Sequence, residues 1–200
     1  MMNDTYNTIE EESTGYFKDK GSKFYSYAYP LNSEDDVKEI ILKLKKEHHS
    51  ARHHCYAWRL GTEEIRFRAN DDGEPSSTAG KPILGQLQSQ ELTNILVVVV
   101  RYFGGTLLGV SGLINAYKTA TIDALKNAVI KTKRIECFFQ LKFTYKELNE
   151  VMHIIKSGKL NLVKTCFEEQ CELIFSVRKS EAEKAEKRFN DFYGVEIKRL

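Results

Sequence analysis

The alternation of apolar and polar residues predicts the first secondary-structure elements. Residues 23–30 alternate large aromatic and small side chains, a pattern typical of a β-strand. A helix is predicted to begin at Ser33, because acidic residues follow this N-cap residue and Val37, Ile40, Ile41 and Leu44 share one helical face. Residues 53–60 and 65–69 predict two further strands, joined by a turn around Gly61.

The centre of the chain carries the most unusual pattern. Residues 95–100 are all apolar and predict a strand that is buried on both faces. Glycine-rich segments precede and follow it, and seven of the chain's twelve glycines lie within residues 71–117. The first segment is expected to lead into a short helix, and the second into a helix that is capped by Ser111 and ends near Asn127. A buried strand between glycine-rich turns is a common place for a functional site.

A new pattern begins after Lys131 and predicts a second domain. Its order is β-α-β-β-α-β, which is the ferredoxin-like split arrangement. The strands are predicted at residues 134–145, 160–168, 171–177 and 195–200, and the helices at 146–157 and 180–193. The predicted fold class is therefore α+β, with one domain at residues 1–133 and a ferredoxin-like domain at 134–200.

Charge and cysteine content narrow the class of protein. The net charge is +2, and residues 1–133 contain 17 basic and 17 acidic residues, so charge count alone does not indicate a nucleic-acid-binding module. Residues 1–12 are polar and acidic, and the six-residue apolar run at 95–100 is far too short to span a bilayer. The four cysteines have no CxxC spacing, which predicts reduced thiols. A cytoplasmic protein without metal, cofactor or membrane association is expected.

Two predicted strands carry a candidate RNA-binding face. Strand alternation places Arg66 and Arg68 together on one face of their strand, and His54, Tyr56 and Trp58 together on the preceding strand. Guanidinium groups pair with phosphates and aromatic rings stack on bases, so this combination suits RNA. The alternative is an exposed sheet face with ordinary solubilising charges.

The glycine-rich segments raise the question of anion binding. The first is not a P-loop, because six residues separate Gly73 from Gly80 and Pro82 stands where Ser or Thr is required. Its carboxylates are expected to face solvent, the loop's own amides or a cation. Free amides in the second segment favour an anion site beside Arg101, and the alternative is a tight crossover that needs glycine only for packing. The candidate anion-binding residues are Gly104, Gly105, Gly109 and Ser111.

Two long sequence blocks carry a family resemblance. DDGEPSSTAGKPIL at residues 71–84 is followed by VVVVRYFGG at 97–105, a Leu-Gly pair at 108–109 and a helix containing Ala-Tyr. These blocks resemble the signature of the IMPACT family, bacterial YigZ type, and the resemblance extends over residues 15–127. Its signature loop comprises Asp71, Asp72, Gly73, Glu74, Pro75 and Gly80. Members often carry Lys at the position of Leu107, Arg at that of Asn115 and Gly at that of Ser77.

The resemblance implies both fold and function. It implies an N-terminal domain similar to the second domain of a small-subunit ribosomal protein and to domain IV of elongation factor G, and a C-terminal domain resembling domain V of that factor. The favoured hypothesis is a non-enzymatic, translation-related regulator that binds RNA or the ribosome. The residues expected to contact phosphates are Arg66, Arg68, Lys81 and Arg101.

Two alternative functions remain. One is a protein–protein interaction module in translational control. The other is a hydrolase that uses Asp71, Asp72, Glu74 and a histidine, since these residue types can form a metal or acid–base site. His53 and His54 are adjacent on a predicted strand, where neighbouring side chains point to opposite faces.

Overall fold

The structure is a computed structural model that describes residues 4–168 and 170–200. It divides into two compact units, one comprising residues 6–133 and the other Asp4, Thr5 and residues 134–200. Within the described residues, no helix is both long enough and apolar enough to cross a membrane.

The larger unit contains most of the helices and strands of the chain. Its strands are β1 (Thr5–Ile9), β2 (Ser13–Asp19), β3 (Ser22–Pro30), β4 (His53–Leu60), β5 (Arg66–Asn70), β6 (Ile95–Tyr102) and β7 (Ile130–Arg134), and its helices are α1 (Glu34–Glu47), α2 (Gly80–Ser89) and α3 (Gly109–Asn127). Five strands form a sheet in the order β2-β3-β6-β4-β5, in which all neighbours are antiparallel, while β1 pairs with β7. The sequence pattern missed β1, β2 and β7.

Strand β6 is the centre of this unit, as its apolar sequence predicted. Val97 and Val99 pack with α2 and α3 on one face of the sheet. Leu96, Val98 and Val100 pack with α1 on the other face. Alternating side chains of one strand thus belong to two separate cores, and β6 has no polar residue before Arg101.

The helix starts show where cap prediction succeeds and where it fails. Helix α1 has the N-cap expected at Ser33, and the structure adds a capping box: Ser33 Oγ accepts a hydrogen bond from Asp36 N, and the Asp36 carboxylate accepts one from Ser33 N. Helix α3 instead begins at Gly109, and Ser111 is an exposed residue of its first turn, so the predicted cap at Ser111 was wrong. The chain turns earlier because Gly109 adopts φ 72°, a conformation that favours glycine.

The smaller unit has the predicted order of elements. These are β8 (Glu136–Phe143), α4 (Leu148–Ser157), β9 (Asn161–Phe167), β10 (Cys171–Arg178), a 3₁₀ turn (Lys179–Glu181), α5 (Ala182–Asn190) and β11 (Val195–Arg199). The antiparallel sheet has the order β11-β8-β10-β9, and in the core Phe175 stacks on Phe139 and contacts Phe189 at a tilted angle. Its β-α-β-β-α-β order is a split β-α-β arrangement.

Candidate functional site

The first carboxylate of the signature loop caps a helix. Asp71 Oδ1 accepts hydrogen bonds from Ala79 N at 3.0 Å and Gly80 N at 2.8 Å, and Oδ2 accepts one from Ser77 N at 2.9 Å. Helix α2 needs this outside group, because its N-cap residue Ala79 has no side-chain acceptor. The loop's own amides are therefore the partners of Asp71, one of the three possibilities that the sequence left open.

The second carboxylate fastens the loop to strand β4. Asp72 Oδ2 accepts a hydrogen bond from His54 N at 2.7 Å, and Oδ1 lies 3.4 Å from Lys45 Nζ. The carbonyl oxygen of Asp72 lies 2.9 Å from His53 Nδ1. The backbone of Asp72 and Gly73 turns through positive φ of 40° and 87°, so Gly73 provides freedom that other residues lack.

The third carboxylate is part of a buried charge network. Glu74 Oε1 accepts hydrogen bonds from Arg101 Nη1 at 2.6 Å and from Tyr117 Oη at 2.8 Å. Tyr117 Oη also lies 3.2 Å from Cys55 Sγ. Burial raises the pKa of both the Tyr117 hydroxyl and the Cys55 thiol, which keeps these groups protonated and able to donate hydrogen bonds. The network joins β4, the signature loop, β6 and α3.

The RNA hypothesis required Arg101 to lie on the same surface as Arg66 and Arg68, but the structure places it elsewhere. Only 6% of Arg101 is exposed, and its guanidinium carbon lies 5.6 and 5.7 Å from the ring centroids of Phe24 and Phe103. Strand alternation points Arg101 toward the α2–α3 face of the sheet, whereas Arg68 and Arg66 belong to the α1 face. A buried, paired arginine is a poor phosphate ligand, so this expectation is corrected.

The glycines of the second segment serve two purposes, close packing and positive φ. A Cβ atom on Gly104 would lie 1.9 Å from the carbonyl carbon of Gly21, so close packing excludes any side chain there. Gly104 N also donates a hydrogen bond to Ser22 Oγ. Gly105 and Gly109 have open space where a Cβ would stand, but their φ values are 87° and 72°. Packing explains the first glycine, and turn geometry explains the other two.

Strand β5 presents the predicted alternation at the edge of the sheet. Arg66 lies opposite Leu60 and Arg68 opposite Trp58, so both arginines occupy the α1 face. Phe67 points to the other face and is 58% exposed. Arg66 Nη1 lies 2.7 Å from Glu34 Oε1 of α1, in a pair that is open to solvent. Lys81 is exposed in the first turn of α2, which packs on the opposite face from α1.

The geometry gives the hydrolase hypothesis little support. The three signature carboxylates are engaged by backbone amides, Lys45, Arg101 and Tyr117, so none is positioned as a free base. His54 is buried on the α1 face, and desolvation lowers its pKa. Within residues 4–168 and 170–200, no cluster of three or more His, Cys, Asp or Glu residues could hold a metal ion.

Three members of the buried network were not predicted as site residues. Arg101 Nη2 lies 3.5 Å from Ser22 Oγ, so Ser22 joins Cys55 and Tyr117 in this network, and all three are distant from Glu74 in sequence. The sequence places the Ala-Tyr pair of α3 in the family signature but does not assign a hydrogen-bonding role to Tyr117. A buried polar residue within an apolar stripe was the available signal, since a buried tyrosine hydroxyl needs a hydrogen-bond partner.

Comparisons with known proteins agree with this signature. The Impact N-terminal domain family matches residues 20–125. An IMPACT family member of Haemophilus influenzae is 36% identical over 160 residues, which are 79% of this chain and 78% of that protein. IMPACT family member YigZ of Escherichia coli is 36% identical over 136 residues, 66% of each chain. A crystal structure of a hypothetical protein aligns with 100% of this chain and 98% of its own, at TM-score 0.73 and 25% identity. The chain belongs to the IMPACT family.

Proposed function

We propose that this IMPACT family member is a translation-related regulator that binds RNA, with ribosomal RNA as the favoured target, through edge strand β5. The support for translation is that the family resemblance implies domains similar to parts of translation factors. The observation that carries the RNA-binding surface is the arrangement of Arg66, Phe67 and Arg68 on an exposed edge strand.

The two arginines are available to phosphates. Arg66 pairs with Glu34, and the two side chains are 64% and 48% exposed. Such surface pairs contribute no more than about 1 kcal/mol, so a phosphate can replace the glutamate at little cost. Arg68 lines a groove between α1 and strands β4 and β5, together with Lys38 and Lys45. The basic groups of this groove attract anions, although Glu34, Asp35 and Asp72 also line it.

The other side of β5 offers a stacking group. Phe67 exposes more than half of its surface on the face from which α2 extends Lys81. Base–aromatic stacking tolerates any sequence, which suits a protein that reads RNA through its backbone and unpaired bases. In this proposal Arg66, Arg68 and Lys81 contact phosphates, while Arg101 holds Glu74 inside the unit.

The test is ribosome and RNA binding by the variant Arg66→Ala/Arg68→Ala at 50 and 200 mM salt. With about three phosphate contacts, affinity of the unmodified protein should fall by roughly one to two decades over this range. The double variant should bind more weakly and show a flatter salt dependence. With fewer phosphate contacts, fewer counterions are released from the RNA on binding.

The control is Lys118→Ala/Lys126→Ala, which removes two exposed positive charges from α3 of the same unit. Equal weakening in both double variants would mean that net charge, rather than β5, governs binding. No detectable binding of RNA or ribosomes by the unmodified protein at 50 mM salt would contradict the proposal.

A protein-interaction module is the second candidate, and the groove beside α1 favours it. This groove has a volume of about 620 Å³ and carries charges of both signs, and Leu42 on its wall is 60% exposed. Mixed charge around apolar side chains is typical of protein interfaces. Capture of the same partners from RNase-treated and untreated lysate would favour this candidate over RNA binding.

A further inference from the structure

A cavity of about 490 Å³ lies between the signature loop and the start of α3. This volume falls within the range of small-molecule sites, about 300–1,000 Å³. Much of its wall is apolar and formed by Phe103, Leu107, Leu108, Val110 and Leu113. Polar groups line another part, where Glu74 and Arg101 meet Arg52 and His53. The cavity therefore suits a ligand with a flat or apolar body and one charged end.

Phe103 provides a fixed aromatic surface on the wall. Its ring centroid lies 5.7 Å from the guanidinium carbon of the buried Arg101, so a cation–π contact supports the ring on that side. More than half of Phe103, 53%, remains exposed. An aromatic ring held in this way offers a stacking platform for a nucleobase.

The start of α3 provides an anion-binding end. Gly109 and Val110 line the cavity, and the N-cap position, Leu108, makes no side-chain hydrogen bond to the first turn. The 19-residue helix therefore has amides at its N-terminus without a side-chain cap, where its dipole favours negative charge. A Cβ atom on Gly109 would meet no atom within 4 Å, so a ligand can approach the backbone closely there.

Arg101 is part of the cavity wall but is already engaged within the chain. It is 94% buried and lines the cavity, and its Nη1 and Nη2 atoms donate hydrogen bonds to Glu74 and Ser22. Glu74 already compensates the charge of Arg101, so the exposed Arg52 and the helix terminus make the remaining field of the cavity positive.

We infer that this cavity binds a nucleoside phosphate, with the base stacked on Phe103 and the phosphate between Arg52 and the N-terminus of α3. The phosphate comes from a free mononucleotide or from the 5′ end of an RNA, and both present the same chemistry. The inference rests on the proposed function in that RNA is one of these two sources, but its test does not depend on strand β5.

The test measures binding of adenosine 5′-monophosphate, adenosine and ribose 5-phosphate to the full chain by calorimetry. The monophosphate should bind more tightly than either fragment, because only it uses both ends of the cavity. Phe103→Ala and Arg52→Ala should each weaken its binding by at least about fivefold. Leu107→Lys should strengthen it, since Leu107 is 83% exposed at the rim and lysine adds a positive charge there.

Two controls separate this site from strand β5. Phe67→Ala removes an equally exposed phenylalanine from β5 and should leave monophosphate binding unchanged, whereas it should weaken RNA binding if the proposed function is correct. Melting temperature identifies any variant that fails to fold. Oligonucleotides with a 5′-phosphate and a 5′-hydroxyl then compete for the site: displacement only by the former assigns the site to RNA ends, and displacement by neither supports free nucleotides.

The inference is overturned if neither adenosine 5′-monophosphate nor the 5′-phosphorylated oligonucleotide binds at millimolar concentration. It is equally overturned if Phe103→Ala and Arg52→Ala fold normally and bind the monophosphate as tightly as the unmodified chain. Loss of RNA binding in Arg66→Ala/Arg68→Ala with intact monophosphate binding would support both proposals. Intact monophosphate binding without any RNA binding would support the cavity and contradict the proposed function.

Discussion

Two arginine–glutamate pairs in the larger unit have nearly the same nitrogen–oxygen distance, but one pair is buried and the other is exposed. Arg101 and Glu74 are 2.6 Å apart, and their side chains are 7% and 3% exposed. Arg66 and Glu34 are 2.7 Å apart, and their side chains are 64% and 48% exposed. The first pair joins two blocks of the family signature in the interior, whereas the second connects edge strand β5 with α1 at the surface.

The difference shows that charged residues in a signature motif need not contact a ligand directly. Asp71, Asp72 and Glu74 stabilise a helix terminus, a strand and a buried cation of their own chain. The charged pair on β5 belongs to no signature block and is exposed to solvent. Burial thus separates the two pairs, because only an exposed pair can be opened at a low cost in free energy.

The largest effect that tests this comparison is expected from Glu74→Gln. The change leaves the buried charge of Arg101 uncompensated, so the free energy of unfolding should fall by about 3–5 kcal/mol. The matched change Glu34→Gln breaks the exposed pair and should cost no more than about 1 kcal/mol. Urea denaturation of both variants and the unmodified chain measures the difference. Equal losses in the two variants would show that burial does not distinguish the pairs.

A smaller difference in stability is expected between alanine substitutions at the adjacent residues Gly104 and Gly105. In Gly104→Ala the new Cβ atom would overlap the backbone of Gly21 at 1.9 Å, so the backbone has to move, at a cost of about 1–3 kcal/mol or more. Gly105→Ala meets no neighbouring atom and carries only the cost of φ 87°, about 1–2 kcal/mol. Melting temperatures should therefore rank Gly104→Ala below Gly105→Ala. The reverse order would mean that turn strain outweighs packing in this loop.

The sequence predicted those parts of the fold that local patterns determine. The bounds of β4 matched residues 53–60, the N-cap at Ser33 was confirmed, and the burial of β6 on both faces followed from its apolar run. Each of these features depends on residues that are close together in sequence. The alternation of Arg66 and Arg68 on β5 was predictable for the same reason.

The features that were missed depend on contacts between distant residues. Strand β1 pairs with β7 across more than a hundred residues, and neither has a strong apolar alternation. Arg101 could be assigned to a strand, but its burial requires Glu74 and the two flanking rings, which the sequence does not place. Ser111 satisfied a local rule for helix caps, and Gly109 began the helix earlier because its backbone could adopt positive φ.

The smallest expected effect concerns a buried and an exposed histidine. His54 is 4% exposed and its Nε2 atom has no hydrogen-bond partner among the described residues, whereas His49 is exposed. Desolvation lowers the pKa of His54 below its ordinary value of 6.5, and Lys45 and His48 add to this, while Asp72 opposes it.

The unfolded chain therefore binds a proton at His54 more readily than the folded chain. This contribution to stability is fully present above about pH 6.5 and is lost as the pH falls from there toward the folded-state pKa, with a slope of at most about 1.4 kcal/mol per pH unit. Between pH 7.5 and 5.5, His54→Gln should lose part of the pH dependence of unfolding, and His49→Gln, which replaces an exposed histidine, is the matched control. Urea titrations across this range give the slopes. If His54→Gln and the unmodified chain had the same slope, protonation of His54 would not contribute to the pH dependence of stability. Burial would then have no measurable effect on the charge of this imidazole, in contrast to the effect expected for the buried Glu74–Arg101 pair.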